Sequence, residues 1–167
     1  MACVEAKLNA KAPVERIWEV IANYGDIHLY HPKVKSAPIL TDNDKGVGAK
    51  RRCEFYDKSS VVEEVTDWNE GSSISVVLSE MTSMPLKRAD ATIQVEPLDS
   101  KTSLLSIDMN FAVKWGPFGW IMGKMMIKPM MKKMFTNVLK GLEYYAVTGK
   151  AVENRVPELN VDIVMAH

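Results

Sequence analysis

The chain has 167 residues, of which 47% are hydrophobic and 25% are charged, a composition typical of one globular domain with a sizeable core. Lys and Arg together number 21 and so do Asp and Glu, so no net field favours nucleic acid as a partner. The two cysteines, Cys3 and Cys53, form neither a metal-type pair nor a disulfide framework, which indicates a reducing compartment.

The first ten residues, MACVEAKLNA, carry Glu5 and Lys7 where a signal peptide needs an uninterrupted apolar run. The uncharged run between Lys114 and Lys124 is far shorter than the roughly 20 residues that cross a bilayer. We therefore expect a soluble, cytoplasmic protein with no transmembrane segment.

The first predicted elements are a strand and a helix. Residues 3–10 alternate apolar side chains with polar ones, which is typical of a half-buried strand. Pro13 then opens a helix whose apolar residues share one face. A short helical or irregular link follows and ends at Pro32.

Between Ser36 and Lys114 the chain alternates apolar–polar segments with turn residues. These segments predict roughly six consecutive strands joined by tight turns, an antiparallel meander. A long helix is predicted from about Gly116 to Thr148. A curved antiparallel sheet covered on one face by a long helix is an α+β architecture. The remaining segment, residues 149–167, has no helical period, so we expect an extended arm, an added edge strand or disorder.

One side of the predicted long helix is rich in methionine. Every fourth residue from Met122 to Leu142 is apolar, and the row of lysines that starts at Lys124 lies about 200° away around the axis. Methionine is adaptable and specifies a core poorly, so a methionine row suits a surface that contacts variable apolar partners. Pro129 should kink or break the helix because it cannot donate a hydrogen bond to the Met125 carbonyl.

Three interpretations of this helix stay open. It is an ordinary core helix with its lysines in water, or it is the wall and gate of a hydrophobic pocket. In the pocket interpretation Met122, Met126, Met130 and Met134 point inward. The third interpretation, a membrane-surface helix anchored by the aromatic residues of 115–120, is not favoured.

A charged pair crosses the first predicted hairpin. Arg51 on one strand and Glu63 on the next come opposite each other on the two sides of a turn near Asp57. Alternation places both on the same face as apolar residues such as Cys53 and Val61, which is the inner face. A buried ion pair is costly without further hydrogen bonds. The pair is therefore a structural salt bridge or a polar anchor for a ligand; in a reaction, Glu63 would move a proton and Arg51 would hold developing negative charge.

Other motifs are weak. His28 and His31 form an H-x-x-H pair with no third ligand at a suitable spacing, so they predict pocket-mouth or surface histidines and no metal site. The sequence has no Gly-rich phosphate loop, no nucleophile elbow and no H-E-x-x-H motif. We therefore expect no metal ion and no cofactor.

Several segments together give the chain a family resemblance. They are APVERIWEVIANYGDIHLYHPKV, GVGAKRRCEFYD, VVEEVTDW, ATIQVEP and the terminal helix, spread over roughly residues 3–148. They resemble the polyketide cyclase/dehydrase and lipid-transport family, part of the START-like (birch-pollen-allergen-like) superfamily known as SRPBCC. The resemblance implies a helix-grip fold, in which a seven-stranded antiparallel sheet wraps around a long C-terminal helix and encloses a deep hydrophobic cavity.

The resemblance also implies a range of functions. The family includes carriers of lipids, hormones and other apolar molecules, and cyclases, isomerases and lyases that act on small hydrophobic substrates. In the related lachrymatory-factor synthases of plants, an inward Arg and an inward Glu on these adjacent strands are functional. By motif they correspond to Arg51 and Glu63 of this sequence.

We therefore expect one domain over residues 1–148 that binds, or also transports, a small hydrophobic ligand between the sheet and the C-terminal helix. The alternatives are a cyclase, isomerase or lyase acting on a polyketide-like substrate through Arg51 and Glu63, and a peripheral lipid-transfer protein. The expected wall consists of inward apolar side chains of the strands and the helix: Phe55, Val61, Ile107, Met109, Phe111, Met122, Met126, Met130 and Met134. No oligomeric state is predicted.

Overall fold

The computed structural model describes residues 2–158. Its elements follow the predicted order of strand, helix, short helix, six strands and long helix. They are β1 (Ala2–Ala10), α1 (Val14–Ala22), a 3₁₀ segment (Tyr24–Leu29), β2 (Val34–Ser36), β3 (Lys50–Phe55), β4 (Ser60–Asn69), β5 (Ser73–Ser79), β6 (Leu86–Pro97), β7 (Ser103–Val113), α2 (Gly116–Met122), a π-helical turn (Gly123–Ile127) and α3 (Lys128–Thr148).

The seven strands form one antiparallel sheet in the order β1-β7-β6-β5-β4-β3-β2. Strands β2 to β7 are neighbours in chain order because each connects to the next through a turn or loop, and β1 pairs along the other edge of β7. The register shifts between Val65 and Asp67 in β4, and bulges of this kind bend and twist a sheet. The predicted α+β helix-grip fold is confirmed.

The inner face of the sheet and the C-terminal helix share the main hydrophobic core. On β7, Leu105, Ile107, Met109 and Phe111 are buried, as a period of two requires of a strand with one face inward. Helix α3 packs on β1 and α1, and its Leu142 is fully buried. Most of the buried residues of α3 lie in its C-terminal half, from Val138 onward.

The C-terminal helix runs without interruption from Gly116 to Thr148, so of the kink or break predicted at Pro129 the break does not occur. The turn before this proline, Gly123–Ile127, is π-helical, and the N–H of Lys128 donates to the Gly123 carbonyl five residues back. A wider turn of this kind accommodates a residue that lacks a hydrogen-bond donor.

The predicted inward methionine row is wrong at Met126 and Met130, whose side chains are 68% and 53% exposed. Residues four apart advance about 40° around the axis at each step, and the π turn changes the helical phase further. A row that is buried near Leu142 therefore turns toward solvent before it reaches Met130 and Met126. The buried residues of this part of the helix are instead Ile127, Met131 and Phe135.

The segment after α3 begins with Gly149, whose positive φ of 68° ends the helix in a left-handed cap. Val152 then packs back onto the domain: it is 2% exposed and its N–H donates to the Leu29 carbonyl. The apolar alternation at positions 159–165 lies outside the described residues. Within residues 2–158 no helix combines the length and the hydropathy needed to span a membrane.

Candidate functional site

A cavity of about 700 Å³ lies between the inner face of the sheet and α3. This volume is in the range of pockets that bind small organic molecules. The apolar wall comes from α1, the 3₁₀ segment, strands β3 to β7 and α3, through Ile21, Ile27, Phe55, Val61, Ile74, Val76, Leu78, Ile93, Ile107, Met109, Met131, Met134, Phe135 and Val138.

The mouth of the cavity lies between α3, the β3–β4 turn and the β5–β6 loop. The exposed residues that border the cavity are Met130 and Lys133 on α3, Tyr56 and Asp57 in the turn, Ser83 in the loop and Lys33 just before β2. The rim is chemically mixed whereas the wall behind it is mostly apolar, so a hydrophobic molecule gains most by passing inward.

Arg51 and Glu63 pair directly across β3 and β4, and both border the cavity. Nε of Arg51 donates to Oε2 of Glu63 at 2.8 Å, and Nη2 donates to the same oxygen at 2.6 Å. Their side chains are 8% and 16% exposed, so the ion pair is largely removed from bulk water. Both bonds end on Oε2, and within residues 2–158 no hydrogen bond reaches the other carboxylate oxygen, Oε1; the neutral Cys53 thiol is a further neighbour of the carboxylate.

Tyr24, from the 3₁₀ segment, holds this ion pair in place. Nη1 of Arg51 donates to the Tyr24 carbonyl at 2.6 Å, and the guanidinium carbon lies 3.9 Å from the centre of the Tyr24 ring. The Tyr24 hydroxyl donates to the backbone carbonyl of Glu63 at 3.1 Å. Burial opposes the charge on Arg51, but Glu63, Cys53, Tyr24 and Tyr30 together outweigh it and raise the pKa of Arg51, so the guanidinium stays charged.

Two neutral groups, His31 and Tyr30, also border the cavity. Burial, helped by the nearby Arg51, lowers the pKa of His31 to about 3, and Nδ1 of this ring accepts the Lys33 N–H at 3.2 Å. A neutral imidazole that accepts at Nδ1 carries its proton on Nε2. Burial raises the pKa of Tyr30 to about 12, so its hydroxyl is protonated at neutral pH. The polar side chains of the wall thus include two hydrogen-bond donors, from His31 and Tyr30, and the carboxylate of Glu63, besides Ser59, Thr92 and Asn137.

Most of the residues predicted from sequence to line the site do border the cavity: Arg51, Glu63, Phe55, Val61, Ile107, Met109, Met130 and Met134. Phe111, Met122 and Met126 do not border the cavity that residues 2–158 form. Phe111 is fully buried against the π turn, Met122 is half-buried and Met126 is exposed. The reason is that the helix crosses the end of β7 too closely there to leave a space.

Sequence reasoning does not identify the part that the 3₁₀ segment plays. It assigns no role to Tyr24 or Tyr30 and places His31 at a pocket mouth or at the surface, whereas His31 is 7% exposed. A signal was present in the spacing of Tyr24, Ile27 and Tyr30, because residues three apart share one face of a helix. The partner of that face, the inward Arg51, is distant in sequence.

Residues 1–147 match the family described as "Polyketide cyclase / dehydrase and lipid transport". The sequence matches none of the curated proteins.

The fold is similar to that of solved proteins with low sequence identity. The protein XoxI from Bacillus cereus aligns with a TM-score of 0.74 at 18% identity, over 89% of this chain and 97% of that chain. Ara h 8.0201 aligns with a TM-score of 0.70 at 16% identity, over 88% and 98%. The Zhui aromatase/cyclase from Streptomyces sp. R1128 aligns with a TM-score of 0.66 at 14% identity, over 90% and 99%. At these identities the similarity concerns the fold alone.

Proposed function

Because the chain belongs to the polyketide cyclase/dehydrase and lipid transport family, we propose that it binds a small, mainly hydrophobic molecule in the cavity beneath α3. The observation that carries this proposal is the cavity of about 700 Å³ with its mostly apolar wall. Protein interiors usually leave few voids larger than a water molecule, so the side chains around a space of this size lack van der Waals contacts that a filled core would provide. A ligand that fills the space supplies the missing van der Waals contacts.

The polar part of the wall indicates the chemistry of the ligand. Arg51 and Glu63 neutralise each other, so among residues 2–158 a charged ligand finds no unpaired charge in the buried part of the wall, and the unpaired cations Lys33 and Lys133 lie at the exposed rim. The free Oε1 of Glu63 accepts from a hydroxyl, while Nε2 of His31 and the Tyr30 hydroxyl donate to a carbonyl. We therefore propose a neutral ligand with an apolar skeleton, a hydroxyl group and a carbonyl group.

Filling the cavity tests the proposal. Ala91 borders the cavity from β6, so Ala91→Trp replaces part of the space with an indole ring. Ala112, on the neighbouring strand β7, follows the inward Phe111, so its side chain lies on the other face and Ala112→Trp is the matched control. The wild type and the control are expected to bind the neutral apolar dye Nile red, and Ala91→Trp to bind it about tenfold or more weakly.

A folded Ala91→Trp variant with unchanged Nile red affinity would contradict ligand binding in this cavity. Circular dichroism and a cooperative thermal transition establish that each variant is folded. Native mass spectrometry of gently purified wild type and Ala91→Trp then compares the mass of any co-purifying molecule. A bound mass present in the wild type and absent from Ala91→Trp identifies the natural ligand.

A second candidate function is an enzyme of the cyclase, isomerase or lyase type, and the geometry of Glu63 favours it. Arg51 holds one oxygen of this carboxylate at two points, while no hydrogen bond within residues 2–158 reaches the other oxygen. A positioned carboxylate of this kind removes a proton from the carbon next to a ligand carbonyl. His31 and Tyr30 would donate to the oxygen on which negative charge then develops.

Proton exchange on a model ketone separates the two functions. In deuterium oxide, the wild type is expected to accelerate replacement of the α-hydrogens of 2-tetralone above the buffer rate, as followed by NMR. Glu63→Gln keeps the shape of the side chain and should bind the ketone without accelerating the exchange. If both proteins accelerate the exchange equally, Glu63 is not the base. If the wild type binds the ketone but does not accelerate the exchange, the protein binds its ligand without catalysing this reaction.

A further inference from the structure

Helix α2, the residue before it and the π turn after it present most of their large apolar side chains to solvent, the buried Ile127 and the half-buried Met122 excepted. We use the term apolar surface for six residues that are 49% to 71% exposed: Trp115, Phe118, Trp120, Ile121, Met125 and Met126. In an ordinary amphipathic helix, side chains of this kind face the core. In this segment the usual arrangement is therefore reversed, with most large apolar side chains on the solvent side.

Gly119 and Gly123 are the physical reason for this reversal. They are buried, lie four residues apart and form the face that crosses the end of β7. A Cβ at Gly119 would collide with the Lys114 carbonyl, and one at Gly123 would lie 2.8 Å from Cγ2 of Val113. The inward face has no room for large side chains, so they project outward.

The chain enters this segment through an unusual turn. Trp115 and Gly116 have φ values of 77° and 55°. Positive φ is a rare and strained conformation for a bulky aromatic residue. Packing in the core does not account for it, because Trp115 is 63% exposed. The strained turn thus holds an indole ring at the protein surface.

The part of the sequence that carries the apolar surface contains lysines and no acidic residues. Between Asp108 and Glu143 the sequence contains no Asp or Glu but six lysines: Lys114, Lys124, Lys128, Lys132, Lys133 and Lys140. None of these lysines takes part in an ion pair within residues 2–158. The Nζ of Lys124 lies 5.3 Å from the centre of the Trp120 ring, so charge and aromatic surface are adjacent.

We propose that the apolar surface docks onto an anionic lipid bilayer, with the helix axis in the plane of the interface. Indole rings are favoured at the level of the lipid headgroups, and apolar side chains beside them enter the acyl boundary. Lysines around the rings are attracted to anionic headgroups. A second copy of the chain is a poorer partner, because a symmetric contact would bring two uncompensated lysine clusters together.

Docking would also bring the bilayer close to the mouth of the cavity. Met130 borders that mouth and follows Met126 by about one helical turn, roughly 6 Å along the axis. A hydrophobic molecule could then move between bilayer and cavity with little exposure to water. The docking surface lies outside the cavity, so it can be tested without any ligand.

Vesicle binding tests the proposal. We expect the protein to sediment at low salt with phosphatidylcholine vesicles that contain phosphatidylserine, and its tryptophan fluorescence to shift to the blue. Binding should weaken in high salt and with vesicles of phosphatidylcholine alone. Phe118→Ser/Trp120→Ser is expected to weaken binding about tenfold or more through lost apolar contact. Lys124→Glu/Lys128→Glu should also weaken vesicle binding, because it removes the attraction between these lysines and the anionic headgroups.

Matched controls lie elsewhere on the surface. Leu98→Ser removes an apolar side chain that is 52% exposed, and Lys101→Glu/Lys150→Glu makes the same change in net charge. Both controls should bind like the wild type. Absence of wild-type binding at low salt, or equal binding by all variants, would overturn the proposal. So would a wild-type dimer in analytical ultracentrifugation that Phe118→Ser/Trp120→Ser dissociates, since another copy would then cover the surface.

Discussion

A single oxygen of Glu63 receives both hydrogen bonds from Arg51, one from Nε and one from Nη2. The guanidinium also donates to the Tyr24 carbonyl and lies over the Tyr24 ring. Arg51 is therefore committed to protein contacts, whereas Glu63 keeps one oxygen available. We therefore expect substitution of Arg51 to affect mainly the stability of the fold, and substitution of Glu63 to affect mainly function.

We predict that Arg51→Met lowers the free energy of unfolding by about 3–5 kcal/mol, because it leaves a largely buried carboxylate without its counter-ion. The double variant Arg51→Met/Glu63→Gln should recover roughly 2 kcal/mol, although the Tyr24 carbonyl still lacks its donor. Urea denaturation of the wild type, both single variants and the double variant measures the coupling. Additive effects of the two substitutions would show that the ion pair contributes no coupling energy.

The phase of the C-terminal helix predicts opposite outcomes for two methionines. Met131 is 2% exposed and Met126 is 68% exposed. Met131→Ala should lower the free energy of unfolding by about 2 kcal/mol or more through lost burial. Met126→Ala should change it by less than about 0.5 kcal/mol. If denaturant titration finds the larger loss at Met126, the inward row predicted from the sequence would be right and the observed phase wrong.

The low pKa of His31 makes stability depend on pH. The unfolded chain binds a proton near the ordinary pKa of 6.5, whereas the folded chain resists protonation until about pH 3. The contribution of His31 is therefore complete above pH 6.5 and is lost as the pH falls toward 3, with a slope of up to about 1.4 kcal/mol per pH unit.

His31→Asn tests this assignment, because the Asn side-chain oxygen can replace Nδ1 as acceptor of the Lys33 N–H but does not titrate. Unfolding free energies of the variant should fall less steeply than those of the wild type between pH 6 and pH 4. Parallel curves for the two proteins would mean that His31 is protonated in the folded state as readily as in the unfolded one.

Gly141 in α3 should resist a substitution that helix propensity favours. Alanine is preferred to glycine in a helix by roughly 1 kcal/mol, yet a Cβ at this position would collide with the Tyr30 carbonyl. We expect Gly141→Ala to destabilise the domain by about 1–3 kcal/mol and to weaken Nile red binding, because Tyr30 borders the cavity. The exposed neighbour serves as control: Lys140→Ala should be nearly neutral in the same thermal melts. A more stable Gly141→Ala would show that α3 can move away from the 3₁₀ segment.

The strands and the Arg51–Glu63 pair could be predicted because both depend on residues that are close together in the sequence. A period of two assigns each strand residue to a face, and a short turn places neighbouring strands in register, so Arg51 and Glu63 meet with both side chains inward. The helix was harder to predict. Which side chains of the helix are buried depends on the rotation that accumulates over many residues, and on a π turn that residue propensities do not predict.

Local sequence patterns were enough to predict the order of the elements and the inward position of Arg51 and Glu63, and the lack of acidic residues between Asp108 and Glu143 can be read directly. The packing of the elements was needed to add Tyr24, Tyr30 and His31 to the cavity wall and to show which methionines face water. Tyr24 reaches Arg51 across 27 positions, and Gly123 meets Val113 only where the helix crosses β7. Such contacts depend on how elements pack, and packing joins side chains that no local pattern relates.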